Sequence, residues 1–302
     1  MIKRCLKKIV AAAVMVSLVV SMSGCGAKKS GAEKKWGIDE FNFIMIPGED
    51  TEKSVQLRDN MAKDLSEVIG IPVNVYRATD YNAAVEALRT GNAQLAQLGP
   101  FSYITAVDRA GAESVCVLGK NGNTGYQSYF ITQADSDINC LEDLEGRTFA
   151  FVDAASTSGN VVPCNEILTL IDNKLTFDEL HVDGKFFKSA TYSGSHPNSV
   201  EAVVQGNVDA AAVSSATLEN LIKEGIVNES EFKIIYESPV IPGSPVAIKG
   251  DIPQELKDLV IEFLLNYDEE EYFGDPDTRY VAIEDSEYAY IRELQEKYEL
   301  TD

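Results

Sequence analysis

The sequence contains few of the residues that build metal sites and covalent catalytic sites. Its 302 residues include two histidines, five cysteines and one tryptophan. The spacings Cys-x-x-Cys and His-Glu-x-x-His do not occur, so we predict no metal and no cofactor. The Gly-x-Ser-x-Gly segment of many serine hydrolases is also missing from the sequence. We therefore expect a protein that is not an enzyme.

Positive charge is scarce as well. The chain has 26 Lys and Arg residues against 48 Asp and Glu residues, which gives a formal net charge of −22. Binding to nucleic acid requires a basic surface, so DNA and RNA are excluded as partners. A negative total does not exclude a small anion, because exposed charges more than about 10 Å away are largely screened at physiological ionic strength. The residues that line a pocket decide whether it binds a small anion.

No apolar run reaches the roughly 20 residues that a membrane-spanning helix needs. The run from Ile9 to Val20 follows four basic residues and precedes Met22-Ser23-Gly24-Cys25. A basic start, a short apolar run and small residues before a cleavage point are typical of a secretory signal. We predict that residues 1–24 form this signal, with a plain transmembrane anchor as the alternative.

Cys25 stands where the bacterial lipobox, which this segment resembles, has its lipidated cysteine, although Met22 replaces the usual leucine. We predict a lipid anchor on Cys25, a polar tether over residues 25–39 and an extracytoplasmic location at the cell membrane. Removing the four basic residues of the signal leaves 22 basic and 48 acidic residues, a net charge of about −26. Cys116, Cys140 and Cys164 are expected to be free thiols, although an oxidising compartment permits one disulfide.

From residue 40 onwards, strand-like apolar runs alternate with segments of helical periodicity. A body of about 270 residues exceeds what one hydrophobic core usually supports, so we expect two lobes. Expected strands are Phe41–Ile46, Val73–Tyr76, Gln94–Leu98, Val115–Leu118, Tyr129–Thr132, Thr148–Val152, Phe186–Ser189, Ala210–Val213 and Lys233–Tyr236. Expected helices are Glu52–Ile69, Tyr81–Arg89, Ser102–Ala110, Val161–Ile171, Ser199–Gln205, Leu218–Glu224, Pro253–Leu265 and Ser286–Tyr298. The alternation predicts an α/β fold in which each lobe is a mostly parallel sheet flanked by helices.

Two crossings between the lobes are expected, at Gln133–Asp137 and at Ser238–Pro245. Lobe 1 would then comprise residues 40–132 and 246–302, and lobe 2 residues 133–245. A helix, a Gly-Asn pair and a buried strand follow Tyr81 and again follow Ser199, a weak repeat that favours related lobes. Two crossings form a hinge, which is the geometry that closure around a ligand requires.

Three consecutive hydroxyl residues, Ser156, Thr157 and Ser158, stand between a predicted buried strand and a predicted helix. The first N–H groups of a helix have no intrahelical acceptor and carry partial positive charge, so they attract anions without lysine. Serine and threonine also cap helices at this position. The local sequence leaves both interpretations open, capping and anion binding.

The two histidines and one aspartate are interpreted differently. His196 precedes the helix expected from Ser199, where it can donate to an oxyanion or cap the turn. His181 has no polar companions and is interpreted as a surface or turn residue. Asp209 is expected to be structural, in a tight turn before its strand.

Two tyrosines and a serine stand at further element boundaries. Tyr81 begins an expected helix, and Tyr126 begins an expected strand. Ser102 lies in the turn between a strand and a helix, a position that faces ligands in open α/β sheets. A tyrosine offers an apolar wall together with an O–H donor, although aromatic residues at strand ends often belong to the core.

Taken in order, these segments resemble the phosphonate, phosphite and phosphate-binding proteins of ABC importers. The resemblance covers about residues 40–250 and depends on the ordered series, not on one motif. Its members are Ala78-Thr79-Asp80-Tyr81, Gly99-Pro100-Phe101-Ser102-Tyr103, Gly125-Tyr126-Gln127-Ser128, Asp153, Ser156-Thr157-Ser158-Gly159, Gly194-Ser195-His196, Val208-Asp209-Ala210-Ala211, Ser238-Pro239 and Ile241-Pro242. The resemblance implies a two-lobed, type II periplasmic-binding-protein-like fold.

The same resemblance implies a monomer that hands phosphonate, phosphite or phosphate to an ABC permease. Six residues would bind the ligand, namely Tyr81, Tyr126, Ser156, Thr157, Ser158 and His196, and Ser102 and Ser244 are further candidates. Relatives that bind aminophosphonates have acidic residues where this chain has Ser214-Ser215-Ala216 and Gly243-Ser244. Aminoethylphosphonate is therefore disfavoured, because its buried ammonium would lack a counter-charge.

Three other functions remain to be weighed. The protein could bind another small solute, or it could be a ligand-sensing lobe of a signalling system. A hydrolase could be imagined from Ser156, His196 and Asp209, but nothing in the sequence distinguishes a nucleophile from the adjacent hydroxyls. We therefore favour binding over catalysis.

Overall fold

The computed structural model describes residues 36–48, 50–171 and 174–300. The predicted signal, the predicted lipidation of Cys25 and most of the predicted tether lie outside these residues. Two β-sheets, each flanked by helices, make up the described part of the chain. Each sheet is the centre of one lobe, so the prediction of a two-lobed α/β fold is confirmed.

The sheet of the first lobe has six strands, and their relative directions differ from the mostly parallel arrangement that was expected. Its strands are β1 (Phe41–Met45), β2 (Val73–Arg77), β3 (Leu95–Gln97), β4 (Ala112–Lys120), β10 (Pro245–Lys249) and β11 (Thr278–Ala282). They lie in the order β11-β4-β10-β3-β1-β2. β1 pairs with β2 and β3 in parallel, whereas β10 pairs with β3 and β4, and β11 with β4, in antiparallel.

The sheet of the second lobe has five strands. These are β5 (Ser128–Gln133), β6 (Thr148–Phe151), β7 (Ser189–Tyr192), β8 (Ala210–Ser214) and β9 (Phe232–Glu237), in the order β7-β6-β8-β5-β9. β6 is parallel to β7 and β8, and β5 is antiparallel to β8 and β9. Both sheets are mixed, so the prediction of mostly parallel sheets is wrong. The periodicity of a strand indicates its burial but not the direction of its neighbours.

Helices cover the sheets, and three of them begin two or three residues earlier than expected. The helices are α1 (Glu52–Ile69), α2 (Tyr81–Thr90), α3 (Pro100–Ala110), α4 (Val162–Leu170), α5 (His196–Val204), α6 (Ser215–Lys223), α7 (Gln254–Asn266), α8 (Glu270–Phe273) and α9 (Ala289–Lys297). α3 and α5 each have proline in the first turn, where it is well tolerated because its missing N–H needs no partner there. The early start makes His196 the first residue of its helix.

The expectation of a strand over Phe186–Ser189 is wrong. β7 begins only at Ser189. Phe186 and Phe187 belong instead to an aromatic cluster in the core of lobe 2, where Phe187 stacks on Phe149 with 4.5 Å between ring centroids. Aromatic runs fit both a strand and an irregular core segment, so local composition did not distinguish them.

The first crossing between the lobes lies earlier than the sequence indicates. The strand expected at Tyr129–Thr132 forms as β5, but β5 pairs with β8 and β9 of the second sheet. The chain therefore crosses at residues 121–127, and not at Gln133–Asp137. The pairing partners of β5 are distant in sequence, which explains why its own pattern could not assign it to a lobe.

The second crossing runs through residues 238–244, between β9 and β10, and it pairs with the first. The N–H of Tyr126 donates to the carbonyl of Ile241 over 3.0 Å, and the N–H of Ile241 donates back to the carbonyl of Tyr126 over 2.7 Å. A Cβ atom at Gly243 would lie 2.4 Å from the carbonyl oxygen of Thr124, so this close approach requires glycine. The two crossings form a paired segment, here called the hinge ribbon.

The hydrophobic core is divided between the faces of the two sheets. One buried cluster joins Ile44 and Ala84 of lobe 1 to Val152 and Val161 of lobe 2, so the lobes are in contact. The opposite face of the first sheet buries Trp36 in a cluster that includes no residue of the second sheet, and the Trp36 indole N–H donates to the carbonyl of Ile69 over 2.8 Å.

Two of the predictions concern the state of the cysteines and the presence of membrane-spanning helices. Cys116 and Cys164 are buried and Cys140 is exposed, and all three are free thiols. Within residues 36–48, 50–171 and 174–300, no helix combines the length and the apolar character that crossing a membrane would take.

Candidate functional site

The hydroxyl loop, which we define as Ser156, Thr157 and Ser158, lies in the interior between β6 and α4. Each of the three residues is only 1% exposed. The Ser156 hydroxyl accepts from the N–H of Gly159 over 3.1 Å, so the capping interpretation is confirmed for this residue. The N–H groups of Thr157 and Ser158 stand at the start of the helical turn, where no intrahelical acceptor is available to them. The loop thus presents backbone N–H and hydroxyl donors together.

Gly159 holds this loop in its shape. A single π-helical turn, Thr157–Val161, precedes α4, and such turns often occur at functional sites. A Cβ atom at Gly159 would lie 2.4 Å from the Cβ of Val152 and 2.8 Å from the Ser156 hydroxyl. No side chain can fit there without displacing the loop, so the sequence requires glycine at this position.

His196 begins α5 and is a neutral donor. The residue is 8% exposed, and its Nδ1 atom accepts from the N–H of Ser214 over 3.0 Å. A neutral imidazole that accepts at Nδ1 carries its proton on Nε2. Burial lowers the pKa of His196 to about 4, so the ring offers one N–H and no charge at neutral pH.

Tyr81 begins α2 and carries an unpaired hydroxyl. Its helix is capped by Asp80, whose carboxylate accepts from the N–H of Ala83 over 2.7 Å. Among the described residues, the Tyr81 hydroxyl is the one buried side-chain oxygen or nitrogen without a hydrogen-bond partner. Burial raises the pKa of Tyr81, the Ser156 hydroxyl acts in the opposite direction, and Tyr126 and Asp153 raise it further. These groups are near neighbours of the phenol, and Ser156 is close enough to affect its pKa, but none of them lies at hydrogen-bond geometry to the Tyr81 oxygen.

Tyr126 lies in the hinge ribbon, although the predicted lobe boundaries place it in lobe 1. Burial raises the pKa of its phenol, while the hydroxyls of Ser158, Ser244 and Thr157 act in the opposite direction. The phenol is therefore surrounded by the hydroxyl loop and by Ser244. The fold brings Ser244, a secondary candidate in the sequence, to the same place as the primary ones.

Two hydrogen bonds join the lobes beside the hydroxyl loop. The N–H of Phe101, at the start of α3, donates to the Thr157 hydroxyl oxygen over 2.8 Å, and the Ser102 hydroxyl donates to the carbonyl of Ala155 over 2.9 Å. Thr157 still has its own O–H to donate. Ser102 uses its proton to join the lobes, which gives it a role in closure in this conformation. The structure therefore describes a closed state.

The C-terminal end makes a third contact between the lobes. α9 packs in the shared cluster through Ile291 and Leu294. The Lys297 ammonium and the Tyr298 hydroxyl both donate over 2.9 Å to the side-chain oxygen of Asn165 in α4. The end of the chain thus connects lobe 1 to the helix that follows the hydroxyl loop.

Asp153 lies beside the site, although the sequence pattern predicts no role for it. Its carboxylate accepts from the N–H of Ala155 over 2.8 Å. Burial raises its pKa, the N–H groups of Ala155 and Tyr81 lower it, and Asp80 raises it. The carboxylate thus lies against the first turn of α2 across the lobe boundary, a proximity that no local pattern reveals.

His181 and Asp209 have different outcomes. His181 ends a 3-10 turn, Asp178–His181, as expected of a turn residue, but the expectation that it has no polar companion is wrong, because it is partly buried and its Nε2 lies 2.7 Å from the side-chain oxygen of Asn160. Asp209 is structural, as expected, because its carboxylate accepts from the N–H and the hydroxyl of Thr148 over 2.7 and 2.8 Å. Among the residues with described positions, no three His, Cys, Asp or Glu side chains form a group that could hold a metal ion.

A family model decides what kind of protein carries this site. The model described as "ABC transporter, phosphonate, periplasmic substrate-binding protein" matches residues 43–288. The chain belongs to this family. The matched segment of the binding protein contains the hydroxyl loop, the hinge ribbon and His196, so the residues that the fold brings together all lie within it.

Curated relatives agree with the family. The binding protein is 29% identical to the phosphonates-binding periplasmic protein of Escherichia coli (strain K12) over 232 residues, which cover 75% of this chain and 66% of that protein. It is 30% identical to the phosphate-import protein PhnD of Mycolicibacterium smegmatis over 256 residues, which cover 83% of this chain and 79% of that protein. The aligned segment thus spans just under two thirds of the length of the E. coli protein.

Solved structures support the fold. A binding protein component of an ABC phosphonate transporter from Pseudomonas aeruginosa aligns with a TM-score of 0.76 at 27% identity, covering 86% of both chains. PhnD1 of Prochlorococcus marinus, solved in complex with methylphosphonate, aligns with a TM-score of 0.73 at 22% identity, covering 87% of this chain and 99% of that one. The second likeness concerns the fold alone.

Proposed function

We propose that this substrate-binding protein encloses one small phosphorus oxyanion, a phosphonate, phosphite or phosphate, between its lobes and delivers it to the permease of an ABC importer. Membership of the family supports the transport role. The ligand class is supported by the relatives, one of which is a phosphonates-binding protein and another a phosphate-import protein. The proposed ligand residues are Tyr81, Tyr126, Ser156, Thr157, Ser158 and His196, with Ser244 beside them.

The unpaired hydroxyl of Tyr81 carries this proposal. A buried hydroxyl without a partner costs about 1–3 kcal/mol, and an acceptor that arrives with a ligand removes that cost. An oxyanion oxygen is such an acceptor. The Nε2–H of His196 and the donors of the hydroxyl loop also need acceptors, and all of these donors are neutral. A tetrahedral anion has several oxygens and can accept from several such donors at once.

Closure follows from contacts that only the closed state makes. A ligand that bonds Tyr81 on lobe 1 and the hydroxyl loop on lobe 2 gains both sets of hydrogen bonds only when the lobes meet. Each hydrogen bond to a charged group contributes about 1.5–3 kcal/mol. Four or five such bonds contribute about 6–15 kcal/mol, a range that includes the roughly 8 kcal/mol that corresponds to a Kd near 1 μM.

Anchoring, assembly and the lack of catalysis are further parts of the proposal. The lipid on Cys25 would hold the protein at the outer side of the cell membrane, and one copy would act alone. A purely binding role is supported by the partners of His196 and Asp209, which are Ser214 and Thr148. His196 accepts from a backbone N–H, and Asp209 accepts from the N–H and the hydroxyl of Thr148, so the histidine and the aspartate are not joined in a Ser-His-Asp triad.

Titration calorimetry on the protein without its signal tests the ligand class. The ligands are phosphate, phosphite, methylphosphonate, aminoethylphosphonate and sulfate. We expect sub-micromolar binding of at least one of the first three, and weaker binding of aminoethylphosphonate because Ser214 and Ser215 replace acidic residues. Tight binding only of a chemically unrelated solute, such as an amino acid, would favour the alternative of another small-solute binder.

A further inference from the structure

His181 contacts the residue that follows the hydroxyl loop and Gly159. Its Nε2 atom lies 2.7 Å from the side-chain oxygen of Asn160, and its Nδ1 atom lies 3.1 Å from the carbonyl oxygen of Phe177. The Asn160 amide nitrogen donates to the carbonyl of Ala154 over 2.9 Å. Asn160 thereby ties the two ends of the loop together, and His181 holds Asn160 from the other side.

The atoms around His181 require two donors from its ring. The carbonyl of Phe177 only accepts. The Asn160 oxygen also only accepts, and the amide cannot be reversed because its oxygen would then face the carbonyl of Ala154. Either neutral tautomer of His181 leaves one ring nitrogen facing an acceptor without a proton between them. Only the imidazolium form donates to both.

The other groups near the ring do not remove this conflict. The Cys164 thiol lies 3.7 Å from Nε2 and 3.8 Å from the Asn160 oxygen, and it can offer only one weak S–H. Phe151, Phe177 and Tyr192 surround the ring with aromatic faces. Asp178, in the same 3-10 turn, is the one charged group that influences His181.

Burial and hydrogen bonding act on His181 in opposite directions. Burial is the largest influence, and the net effect is a lowered pKa for His181, although the Phe177 carbonyl and Asp178 act to raise it. The ring also lines a crevice of about 380 Å³ together with Asn160, Tyr192 and Asp178, so a proton can reach it from water. An anion bound beside the hydroxyl loop adds negative charge nearby, which favours the protonated ring.

We propose that His181 is a positioning residue of the anion site, which braces Asn160 and takes up one proton from solvent when the oxyanion binds. The proposal rests on the proposed function, since it concerns the same ligand. The hydroxyl loop supplies only neutral donors, so the imidazolium of His181 would provide the positive charge that the first contacts lack. The positive charge acts on the ligand through Asn160 and the loop, without direct contact.

The test compares the affinity of wild type and His181→Phe for methylphosphonate and for inorganic phosphate from about pH 6 to about pH 8, the range in which histidine ordinarily titrates. Phenylalanine keeps the aromatic packing and removes both hydrogen bonds. Because the ligand is the same in both titrations, its own ionisation cancels in the ratio of the two Kd values. We expect the variant to bind about tenfold more weakly near pH 6 and within about threefold of wild type near pH 8.

Two further variants and a second readout sharpen the result. His181→Gln keeps one N–H for Asn160 but cannot titrate, so its affinity relative to His181→Phe should not change with pH. Tyr192→Phe keeps the stacked ring of the neighbour, 5.6 Å from His181 between centroids, and should bind as wild type does. Calorimetry in two buffers of different ionisation enthalpy should show more proton uptake by wild type than by either His181 variant.

The outcomes separate the two proposals. If wild type binds neither methylphosphonate, phosphite nor phosphate, the proposed function fails, and the role of His181 fails with it. If wild type binds but His181→Phe equals it at every pH, or is weaker by one constant factor, His181 only fills space and the proton-linked role is wrong. Should His181→Phe not fold, the comparison of wild type with His181→Gln gives the same decision.

Discussion

Replacing Tyr81 with phenylalanine should weaken ligand binding without lowering protein stability. The variant loses only the hydroxyl that has no hydrogen-bond partner in the closed structure. A hydrogen bond from this hydroxyl to a charged ligand contributes about 1.5–3 kcal/mol, so the Kd should rise by about 10- to 150-fold. Without ligand the variant should be no less stable than wild type, because the hydroxyl makes no hydrogen bond within the protein that could be lost.

Tyr103→Phe is the matched control. Tyr103 is equally buried in lobe 1, but its hydroxyl donates to the carboxylate of Asp285 over 2.9 Å. Its phenylalanine variant should lose stability, because Asp285 loses a donor, and should bind the ligand as wild type does.

Calorimetry with the preferred oxyanion gives the Kd values, and denaturant titrations without ligand give the free energies of unfolding. Tyr81→Phe should therefore lose affinity and keep its stability, whereas Tyr103→Phe should keep its affinity and lose stability. The reasoning would be refuted if Tyr81→Phe kept wild-type affinity, or if it destabilised the unliganded protein as much as Tyr103→Phe does. The first result would mean that the hydroxyl does not meet the ligand. The second would mean that it has a partner in the unliganded protein after all.

Three other perturbations test the site and its surroundings. Thr157→Val removes the oxygen that accepts from Phe101 and the O–H offered to the ligand, so we expect a loss of affinity of more than about tenfold by calorimetry, while Thr157→Ser stays near wild type. Gly159→Ala places a Cβ 2.4 Å from Val152, and denaturant titration should show a loss of about 1–3 kcal/mol; unchanged stability would contradict the packing argument. Burial lowers the pKa of His196 from 6.5 to about 4. As the pH decreases from about 6.5 to about 4, the unfolded chain therefore binds a proton at this residue before the folded protein does. The free energy of unfolding should fall over this range. His196→Gln should show a shallower fall over that range in the same titrations.

The hydroxyl loop could be predicted from the sequence because its chemistry is local. A buried strand, three hydroxyl residues and a glycine before a helix already indicate exposed helix N–H groups. The structure adds that capping and a free donor coexist, since the Ser156 oxygen caps the turn while the Thr157 hydroxyl, which accepts from Phe101, still has a proton to donate. Local sequence could not show that these two interpretations are compatible.

Features that depend on distant contacts could not be predicted in the same way. β5 has the alternation of a strand in either lobe, and only its pairing with β8 and β9 assigns it to the second sheet. His181 was judged isolated because its partner Asn160 is 21 residues away in the chain. Asp153 meets the first turn of α2 only through closure of the lobes. In each case tertiary pairing, and not local pattern, determines the role.

The position of Trp36 has a practical consequence for measuring ligand binding by intrinsic fluorescence. This indole is the sole one in the sequence, and it is fixed in the cluster on the outer face of the first sheet, bonded to the carbonyl of Ile69. Among the residues that the structure describes, the cluster around Trp36 includes none from the second lobe, so its fluorescence should change little when the lobes move. An optical sensor made from this scaffold would need a dye or a new indole placed at the cleft mouth.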